Sequence, residues 1–157
     1  MKRFLLLSAI LPLLIGCLGR DSSRPADMPP LVPCTVTILS GGAPLVDAQV
    51  TFHSGDPNFK WSPSNITDSN GKADMVTYGR FSGVVEGEYA VTVTKVEREE
   101  FDPENPPRQV RVFTFTDPKF IDPAATPLRI KVEGRKTDET FDVGATERTV
   151  LRMEDAQ

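Results

Sequence analysis

The sequence predicts an all-β fold, an antiparallel β-sandwich of about seven strands. After residue 33, short runs rich in Val, Thr, Phe and Ile alternate apolar and polar residues, as half-buried strands do. Turn residues recur about every ten positions, which is typical of sandwiches. No run after residue 16 has the period of a convincing helix, and the tail 145–157 is polar enough to be either frayed or a short helix.

The first two predicted strands cover residues 34–40 and 47–54. In both runs every second residue is apolar, so each strand has one face suited to a core. Residues 41–44, Gly-Gly-Ala-Pro, form a turn signal between them. We therefore expect these two strands to pair as a hairpin.

The middle of the chain alternates loops and short strands. Residues 55–65 form a Pro-rich loop with the only tryptophan, and a short strand is expected to end at Ile66 and Thr67. Residues 68–71, Asp-Ser-Asn-Gly, predict a tight turn because Asn and Gly tolerate positive φ. Residues 72–78 then return as a strand, and 79–86 form a loop.

Two long strands are expected in the second half, at residues 89–96 and 109–115. The charged, Pro-rich residues 97–108 between them form a loop that is long for a compact domain. Residues 116–127 are rich in turn residues and have room for one short helical turn. The runs LRIKVEG and ETFDVG are expected to close the pattern as a hairpin that turns around residues 135–138.

The N-terminus has the pattern of an export signal. Lys2 and Arg3 precede an apolar run of 13 residues, 4–16, whereas a membrane-spanning helix needs roughly 20. The chain turns polar soon after Cys17. We therefore divide the chain into a signal peptide at 1–16, a tether at 17–32, a sandwich domain at 33–144 and a polar tail at 145–157.

The stretch Leu14-Ile15-Gly16-Cys17 resembles the bacterial lipobox, with Leu three residues before the cysteine and a small residue directly before it. The resemblance implies that Cys17 begins the mature protein and carries a diacylglyceryl group and an amide-linked acyl chain such as palmitate. More than one acyl chain is needed for stable anchoring. Leu18 follows rather than Asp, which favours the outer membrane of a diderm bacterium. The alternative is a chance cysteine after an ordinary signal.

Charge and cysteine content limit the partners. Loss of Lys2 and Arg3 with the signal would change the formal charge from −4 to −6. An acidic surface is a poor match for nucleic acid, and it would not attract an anionic membrane as a whole. Cys34 lies in an alternating apolar run, which predicts a small buried core residue rather than a reactive thiol. If Cys17 were unmodified, an exported chain could instead join Cys17 and Cys34 in a disulfide.

Four stretches together resemble small bacterial lipoproteins with one carboxypeptidase regulatory-like domain: GGAPLVDAQVTF, TDSNGKADM, GEYAVTVTKV and FIDPAATPLRIKVEGRKTDETFDV. In the last stretch Phe120 stands for the family's Tyr, and Ala73 replaces the usual aromatic residue after Gly71 and Lys72. The resemblance covers residues 33–143. It implies a prealbumin-like (transthyretin-like) or Ig-like sandwich that serves as a structural or binding module. The family's Asp-Pro-x-x-(Ser/Thr)-x-Leu segment is matched by Asp122, Pro123, Thr126 and Leu128.

Catalytic and metal chemistry has little support in the sequence, so we expect neither an enzyme nor a cofactor. His53 is the only histidine, and its neighbours Ser54 and Asp56 would form a triad only if all three side chains converged. A Cys34–His53 pair across the first hairpin is a second, less favoured arrangement. Transthyretin-like hydrolases use several histidines and a C-terminal tetrapeptide that this chain lacks. Residues 68–71 match only part of a calcium loop, so no metal site is expected.

Four aromatic residues are candidate ligand contacts: Phe59, Trp61, Tyr78 and Phe81. Aromatic side chains on sandwich loops can stack on sugars or anchor a protein partner, although capping the core is the favoured alternative. The expected function is that of a lipid-anchored cell-envelope protein with a non-catalytic structural or interaction module. Its partners would be the membrane, through Cys17, and an envelope protein or polysaccharide. The alternative function is a carbohydrate-binding surface lipoprotein.

Overall fold

The computed structural model describes residues 24–101 and 109–155, and it confirms the predicted all-β sandwich. The predicted signal peptide and Cys17 lie outside the described residues. Within the described part of the chain, no helix is long and apolar enough to span a membrane. The elements are β1 (Leu31–Val32), β2 (Cys34–Ser40), β3 (Ala43–Pro44), β4 (Gln49–Ser54), β5 (Pro63–Ile66), β6 (Lys72–Asp74), β7 (Val76–Thr77), β8 (Phe81–Ser82), β9 (Val84–Val85), β10 (Gly87–Thr94), β11 (Val96–Phe101), β12 (Gln109–Thr114), a 3-10 turn (Pro118–Phe120), β13 (Arg129–Val132), β14 (Thr137–Asp142) and β15 (Thr149–Asp155).

Two sheets enclose the core. One has six strands in the order β13-β10-β4-β5-β7-β8, and the other has the order β14-β2-β3 with β6 also paired to β2. All of these pairs are antiparallel except β14 and β2, which run parallel with Thr137 opposite Cys34. Apolar residues at alternate positions of the strands meet between the sheets, as their period of two predicts. The core comprises Val32, Cys34, Val36, Ile38, Leu45, Ala48, Val50, Phe52, Ala73, Met75, Val84, Tyr89, Val91, Val93, Phe120, Ile130, Val132 and Val143.

The hairpin predicted for residues 34–40 and 47–54 is wrong, because β2 and β4 lie in different sheets. After the turn, β2 pairs only with the two residues of β3, and the chain then crosses to the opposite sheet. Leu45 and Ala48 are buried within the crossing. The Thr67 hydroxyl donates to the Leu45 carbonyl oxygen at 2.6 Å and accepts from the Ala48 N–H at 2.9 Å. A plain hairpin would leave Leu45 in solvent, so the crossing gains apolar burial.

The predicted closing hairpin is also wrong. Strand β13 pairs with β10, with Ile130 opposite Tyr89, whereas β14 pairs with β2 across the core. The residues between β13 and β14 are exposed, and the Gly134 N–H donates to a Glu86 carboxylate oxygen at 3.0 Å. A short polar connection can either turn back within one sheet or cross between two. The flanking strands alternate apolar and polar residues in the same way whether the chain turns back or crosses. The sequence pattern therefore does not distinguish the two connections.

The strand predicted at residues 72–78 divides into β6 and β7, which belong to different sheets. The chain switches sheets at Met75, which is buried and donates its N–H to the Cys34 carbonyl oxygen at 2.8 Å. The tight turn before β6 is confirmed. Asp68 accepts from the N–H groups of Asn70 and Lys72, and Gly71 has φ of +72°. The short strand ending at residue 66 is confirmed as β5, and the predicted loop 79–86 contains β8 and β9.

A third, three-stranded sheet has the order β11-β12-β15. The predicted strand at residues 109–115 is confirmed as β12. The loop predicted at 97–108 is partly wrong, because residues 97–101 belong to β11, while 102–108 lie outside the described residues. The tail is neither frayed nor helical over β15, which pairs with β12. The short helical turn expected within 116–127 is confirmed as the 3-10 turn.

Candidate functional site

The four aromatic residues singled out from the sequence lie in one region of the sandwich. Trp61 and Phe81 are buried, with 6% and 7% of their surface exposed, in a small apolar cluster beside the main core. Phe59 is partly buried and packs against both clusters. The Tyr78 ring lies 5.4 Å from the Trp61 ring, yet 49% of its surface is exposed. The structure therefore brings the four together but presents mainly Tyr78 to solvent.

The N-terminal segment completes this cluster. Met28 is buried against it, and β1 pairs with β9, so that Leu31 lies opposite Val85. Alternation does not identify Met28, because prolines surround it in the predicted tether. We call Met28, Trp61, Tyr78, Phe81 and Val85 the root cluster, since the segment that follows the predicted anchor enters the fold through them. The predicted tether boundary at residue 32 stays a prediction, but packing against the sandwich begins by Met28.

Local backbone geometry places Tyr78 over Trp61. Tyr78 has φ of +55° and Gly79 has φ of +68°, at the turn between β7 and β8. The left-handed region is uncommon for a residue with a Cβ atom. The buried Thr77 hydroxyl donates to the Gly83 carbonyl oxygen at 2.8 Å, which closes this turn. Tight turns between paired strands often require positive φ, so the β7–β8 hairpin itself accounts for the backbone conformation of Tyr78.

Two cations, Lys60 and Arg80, lie over aromatic rings of the root cluster. The Lys60 ammonium lies 4.9 Å from the Trp61 ring centroid and pairs with the Asp27 carboxylate. The Arg80 guanidinium lies 4.7 Å from the Phe81 ring centroid, and Arg24 donates to the Pro29 carbonyl oxygen at 2.6 Å. A cation over an aromatic face is attracted by the ring quadrupole. Two cations therefore lie over rings of the cluster, and the exposed Glu86 follows Val85 directly in the chain.

The Lys60–Asp27 pair is electrostatically weak despite its short contact. The hydrogen bond from Lys60 lowers the pKa of Asp27, and the same bond raises the pKa of Lys60. Both side chains are more than half exposed, so solvent and salt screen the attraction between them. The pair therefore helps to position the N-terminal segment and adds little to the stability of the fold.

The candidate Cys34–His53 pair does not form. Phe52 faces the core from β4, so the next residue, His53, faces outward, while Cys34 faces the core from the opposite sheet. His53 Nε2 lies 2.8 Å from the Thr92 hydroxyl oxygen, and partial burial lowers the pKa of the imidazole. Burial raises the pKa of the Cys34 thiol to about 12, with a further rise caused by the nearby Asp138 carboxylate. Cys34 is thus confirmed as a small buried core residue, 4% exposed.

The Ser-His-Asp sequence neighbours form a loop rather than a triad. Ser54 Oγ accepts from the Asp56 N–H at 3.1 Å, and the Asp56 carboxylate accepts from the Asn58 N–H at 2.8 Å. These bonds are the local turn contacts that Ser and Asp commonly make with the backbone. His53 bonds elsewhere, to Thr92. The three side chains therefore have separate structural roles in this arrangement.

An open groove of about 590 Å³ lies beside His53. Its polar lining includes Glu88, Asp122 and Arg129, but the Arg129 guanidinium donates to the Leu128 carbonyl oxygen at 2.9 Å. Asp122 accepts from the Ala124 N–H at 2.8 Å, as the start of a turn. Within residues 24–101 and 109–155, no three His, Cys, Asp or Glu side chains are placed to share a metal ion. The root cluster is therefore the stronger candidate site.

Comparisons with known proteins do not assign a family. No family model matches the chain, and no curated protein matches it. Part of a 9R-lipoxygenase from Cyanothece PCC8801 is similar in structure, at 18% sequence identity and a TM-score of 0.37. The match covers 78% of this chain and 18% of the lipoxygenase chain. A similarity this weak carries no argument about function.

Proposed function

We propose that the chain is a lipid-anchored protein of the cell envelope, with a β-sandwich that acts as a non-catalytic structural or interaction module. Cys17 would carry the acyl chains, in the outer membrane of a diderm bacterium. The sequence supports this through the lipobox-like Leu14 to Cys17 stretch that follows a short apolar run. Each buried methylene of an acyl chain adds about 0.8 kcal/mol, so several chains together anchor a protein stably.

The observation that carries the proposal is the packing of the N-terminal segment on the sandwich. Met28 lies 11 residues after Cys17 and is buried against Trp61, Phe81 and Val85. The pairing of β1 with β9 fixes the next residues to the same part of the fold. The segment that follows an acylated Cys17 would therefore join the sandwich at one defined position. That arrangement suits a module that must be held at a surface while its remaining faces meet partners.

The core supports a module that is stable without a disulfide. Cys34 is buried between the sheets, and burial keeps its thiol protonated by raising its pKa to about 12. A modified Cys17 would leave Cys34 as a single thiol. A domain of this size can bury enough apolar surface to fold without a disulfide. The sandwich can therefore fold without a disulfide bond to Cys17, which leaves Cys17 available for acylation.

A carbohydrate-binding surface is the second candidate function, and the exposed ring of Tyr78 is the observation that favours it. Trp61 and Phe81 could contribute only if the root cluster opened, because both are buried. Sugar recognition by stacking needs an accessible aromatic face. Tyr78 is therefore the residue on which this alternative depends.

Acyl labelling of the full chain tests the proposed function. Cells that express the protein are grown with an alkyne-tagged fatty acid, and the wild type is compared with Cys17→Ser and with the control Cys34→Ala. We expect labelling and membrane recovery of the wild type and of Cys34→Ala, and loss of labelling in Cys17→Ser. Labelling of Cys17→Ser at the wild-type level would overturn the proposal.

A further inference from the structure

We propose that a pocket beside the third sheet binds a neutral sugar. The pocket has a volume of about 310 Å³ and lies where the chain leaves β12 and where it enters β15. It shares no residue with the root cluster. The inference rests on the proposed function in that the sandwich acts as an interaction module, and it deepens that function by naming the chemistry of one partner.

Three threonines line the pocket: Thr114, Thr116 and Thr149. Thr114 ends β12 and pairs with Thr149 at the start of β15, so their side chains lie on the same face of the third sheet. Thr114 is 6% exposed and Thr116 is 3% exposed, whereas Thr149 is exposed. The lining therefore combines two buried threonines with one that is open to solvent.

The two buried hydroxyl groups have only long hydrogen bonds within the described chain. Thr114 Oγ1 exchanges two bonds of 3.4 Å with the backbone of Thr116. The Thr116 hydroxyl oxygen accepts from the Lys95 N–H, also at 3.4 Å, and no described residue accepts its proton. Good hydrogen bonds between two oxygens are about 2.5–3.0 Å long. A buried hydroxyl group without a good partner costs free energy, so these groups favour a ligand that offers oxygen acceptors.

Two carboxylates, Asp117 and Glu147, complete the polar lining. The Asp117 side chain accepts from the Lys119 N–H at 2.9 Å and lies 3.4 Å from the Lys119 ammonium, which offsets its charge. Glu147 is exposed and has no ion-pair partner in the part of the chain that the structure describes. A carboxylate only accepts hydrogen bonds, so Glu147 favours a ligand that donates them.

The wall that carries Glu147 is held on both sides. Before Glu147, the hydroxyl oxygens of Ser40 and Thr146 lie 3.0 Å apart, within hydrogen-bond distance. After it, the Arg148 guanidinium lies 3.5 Å from the Phe113 ring centroid, where it is attracted by the ring quadrupole. The pocket is therefore largely formed in the absence of a ligand. A preformed site loses less free energy to ordering when a ligand binds.

A neutral sugar matches this lining better than an anion or a cation. Each sugar hydroxyl group both donates and accepts, so it can donate to Glu147 and accept from Thr116. A carboxylate or phosphate ligand has no proton for Glu147, and the charge of Glu147 would repel it. An ammonium ligand would pair with Glu147 but has no oxygen for Thr116. Pro118 and Ala145 add apolar surface for the C–H groups of a sugar ring.

Saturation-transfer NMR on the full, acylated protein in detergent micelles tests the pocket. Glucose, galactose and N-acetylglucosamine are the probes, and a titration gives the Kd of each. We expect at least one of them to bind. Thr116→Val keeps the size of the side chain but removes the hydroxyl group, and it should raise the Kd about tenfold. Glu147→Gln should raise the Kd severalfold, because a neutral amide accepts more weakly than a carboxylate.

Thr140→Val and Glu139→Gln are the matched controls. Both residues are exposed, lie on β14 and are not part of the pocket lining, so both variants should keep the wild-type Kd. Urea unfolding checks that each variant is folded. Glu147 is exposed, so Glu147→Gln keeps the test decisive if Thr116→Val does not fold.

Three outcomes would overturn the inference. The first is that none of the three sugars binds the folded wild type. The second is binding that Tyr78→Ser abolishes and Glu147→Gln leaves unchanged, which would assign sugar binding to the root cluster. The third is tighter binding of glucuronate than of glucose, since the Glu147 charge should repel the added carboxylate. In each case acyl labelling of Cys17 would leave the proposed function standing, whereas sugar binding by a wild type that is not acylated would overturn the proposed anchor alone.

Discussion

The Tyr89 hydroxyl donates a hydrogen bond of 2.6 Å to the carbonyl oxygen of Val85, four residues upstream. Tyr89 is 3% exposed and lies near the start of β10, directly after the corner formed by β9. A Cβ atom at Gly87 would lie 3.4 Å from this hydroxyl, so glycine lets the ring fold back over the corner. A tyrosine that bonds back to the preceding corner also occurs in Ig-like sandwiches. The bond ties β9, and hence β1, to the main core.

We expect Tyr89→Phe to lower the free energy of unfolding by about 1–3 kcal/mol, because it leaves the Val85 carbonyl without its partner in a buried site. Urea unfolding followed by fluorescence measures the change. Tyr78→Phe is the matched control, since Tyr78 is half exposed, and it should differ from the wild type by less than about 0.5 kcal/mol. Equal stabilities of Tyr89→Phe and the wild type would contradict this assignment.

We expect Asp142→Asn to reduce the acid sensitivity of the fold. The Asp142 carboxylate accepts from the N–H groups of Gly144, Gly41 and Gly42, and these bonds lower its pKa below 3.8. A lowered folded-state pKa contributes stability above the unfolded value, and this contribution is lost as the pH falls through the folded value.

The measurement for Asp142 is the free energy of unfolding as a function of pH, from 6 down to about 2. The wild type should lose more stability below about pH 4 than Asp142→Asn does. Glu139→Gln, on the same strand, is the control and should keep the wild-type slope. Identical slopes for the wild type and Asp142→Asn would show that the three backbone bonds do not hold the carboxylate in its charged form.

We expect the Cys34 thiol to resist modification in the folded protein. It is buried, and its pKa is raised from 9.0 to about 12, so the reactive thiolate is scarce at neutral pH. In the Cys17→Ser protein, a thiol reagent should label Cys34 only after denaturant is added. The thiol of Cys34 ionises at lower pH in the unfolded chain than in the folded protein. The contribution of this thiol to the free energy of unfolding is therefore lost as the pH rises from about 9 to 12. Rapid labelling of the native protein would contradict the burial of this residue.

We expect Trp61→Ala to lower the free energy of unfolding by about 3 kcal/mol, because it removes a large buried side chain. It should also speed amide exchange in β1, since Met28 and Val85 would lose a packing partner. Ile66→Ala is the control, because Ile66 is 55% exposed and should change stability by less than about 0.5 kcal/mol. A stable Trp61→Ala protein that has lost only the ability to bind a polysaccharide would favour the carbohydrate alternative.

Most of the strand positions were predictable from the sequence. Alternation placed β2, β4, β10 and β12, and it put Cys34 on the buried face. The turn at residues 68–71 was predictable because it depends on local properties: an Asp side chain bonds nearby backbone N–H groups, and Gly tolerates positive φ. Strand β15 was missed because the polar tail has no clear alternation, and β11 was missed because its charged residues resemble a loop.

The candidate site was predictable in part. Loop position and aromatic content singled out Phe59, Trp61, Tyr78 and Phe81. Met28 was not found, because its burial depends on a pocket formed by residues far away in the chain. Trp61 is buried and Tyr78 is half exposed, and only tertiary packing decides this difference, since both residues lie in loop-like sequence.

The sequence by itself determined which residues alternate between core and solvent, where turns occur, and that Cys17 follows a signal-like run. Only the tertiary structure decided which strands are neighbours. Both predicted hairpins instead cross between sheets, so β2 meets β14 and β4 meets β10. The physical reason is that a period of two specifies one apolar face for each strand but not its partner. The choice between turning back and crossing depends on whether connecting residues such as Leu45 and Met75 can be buried between the sheets.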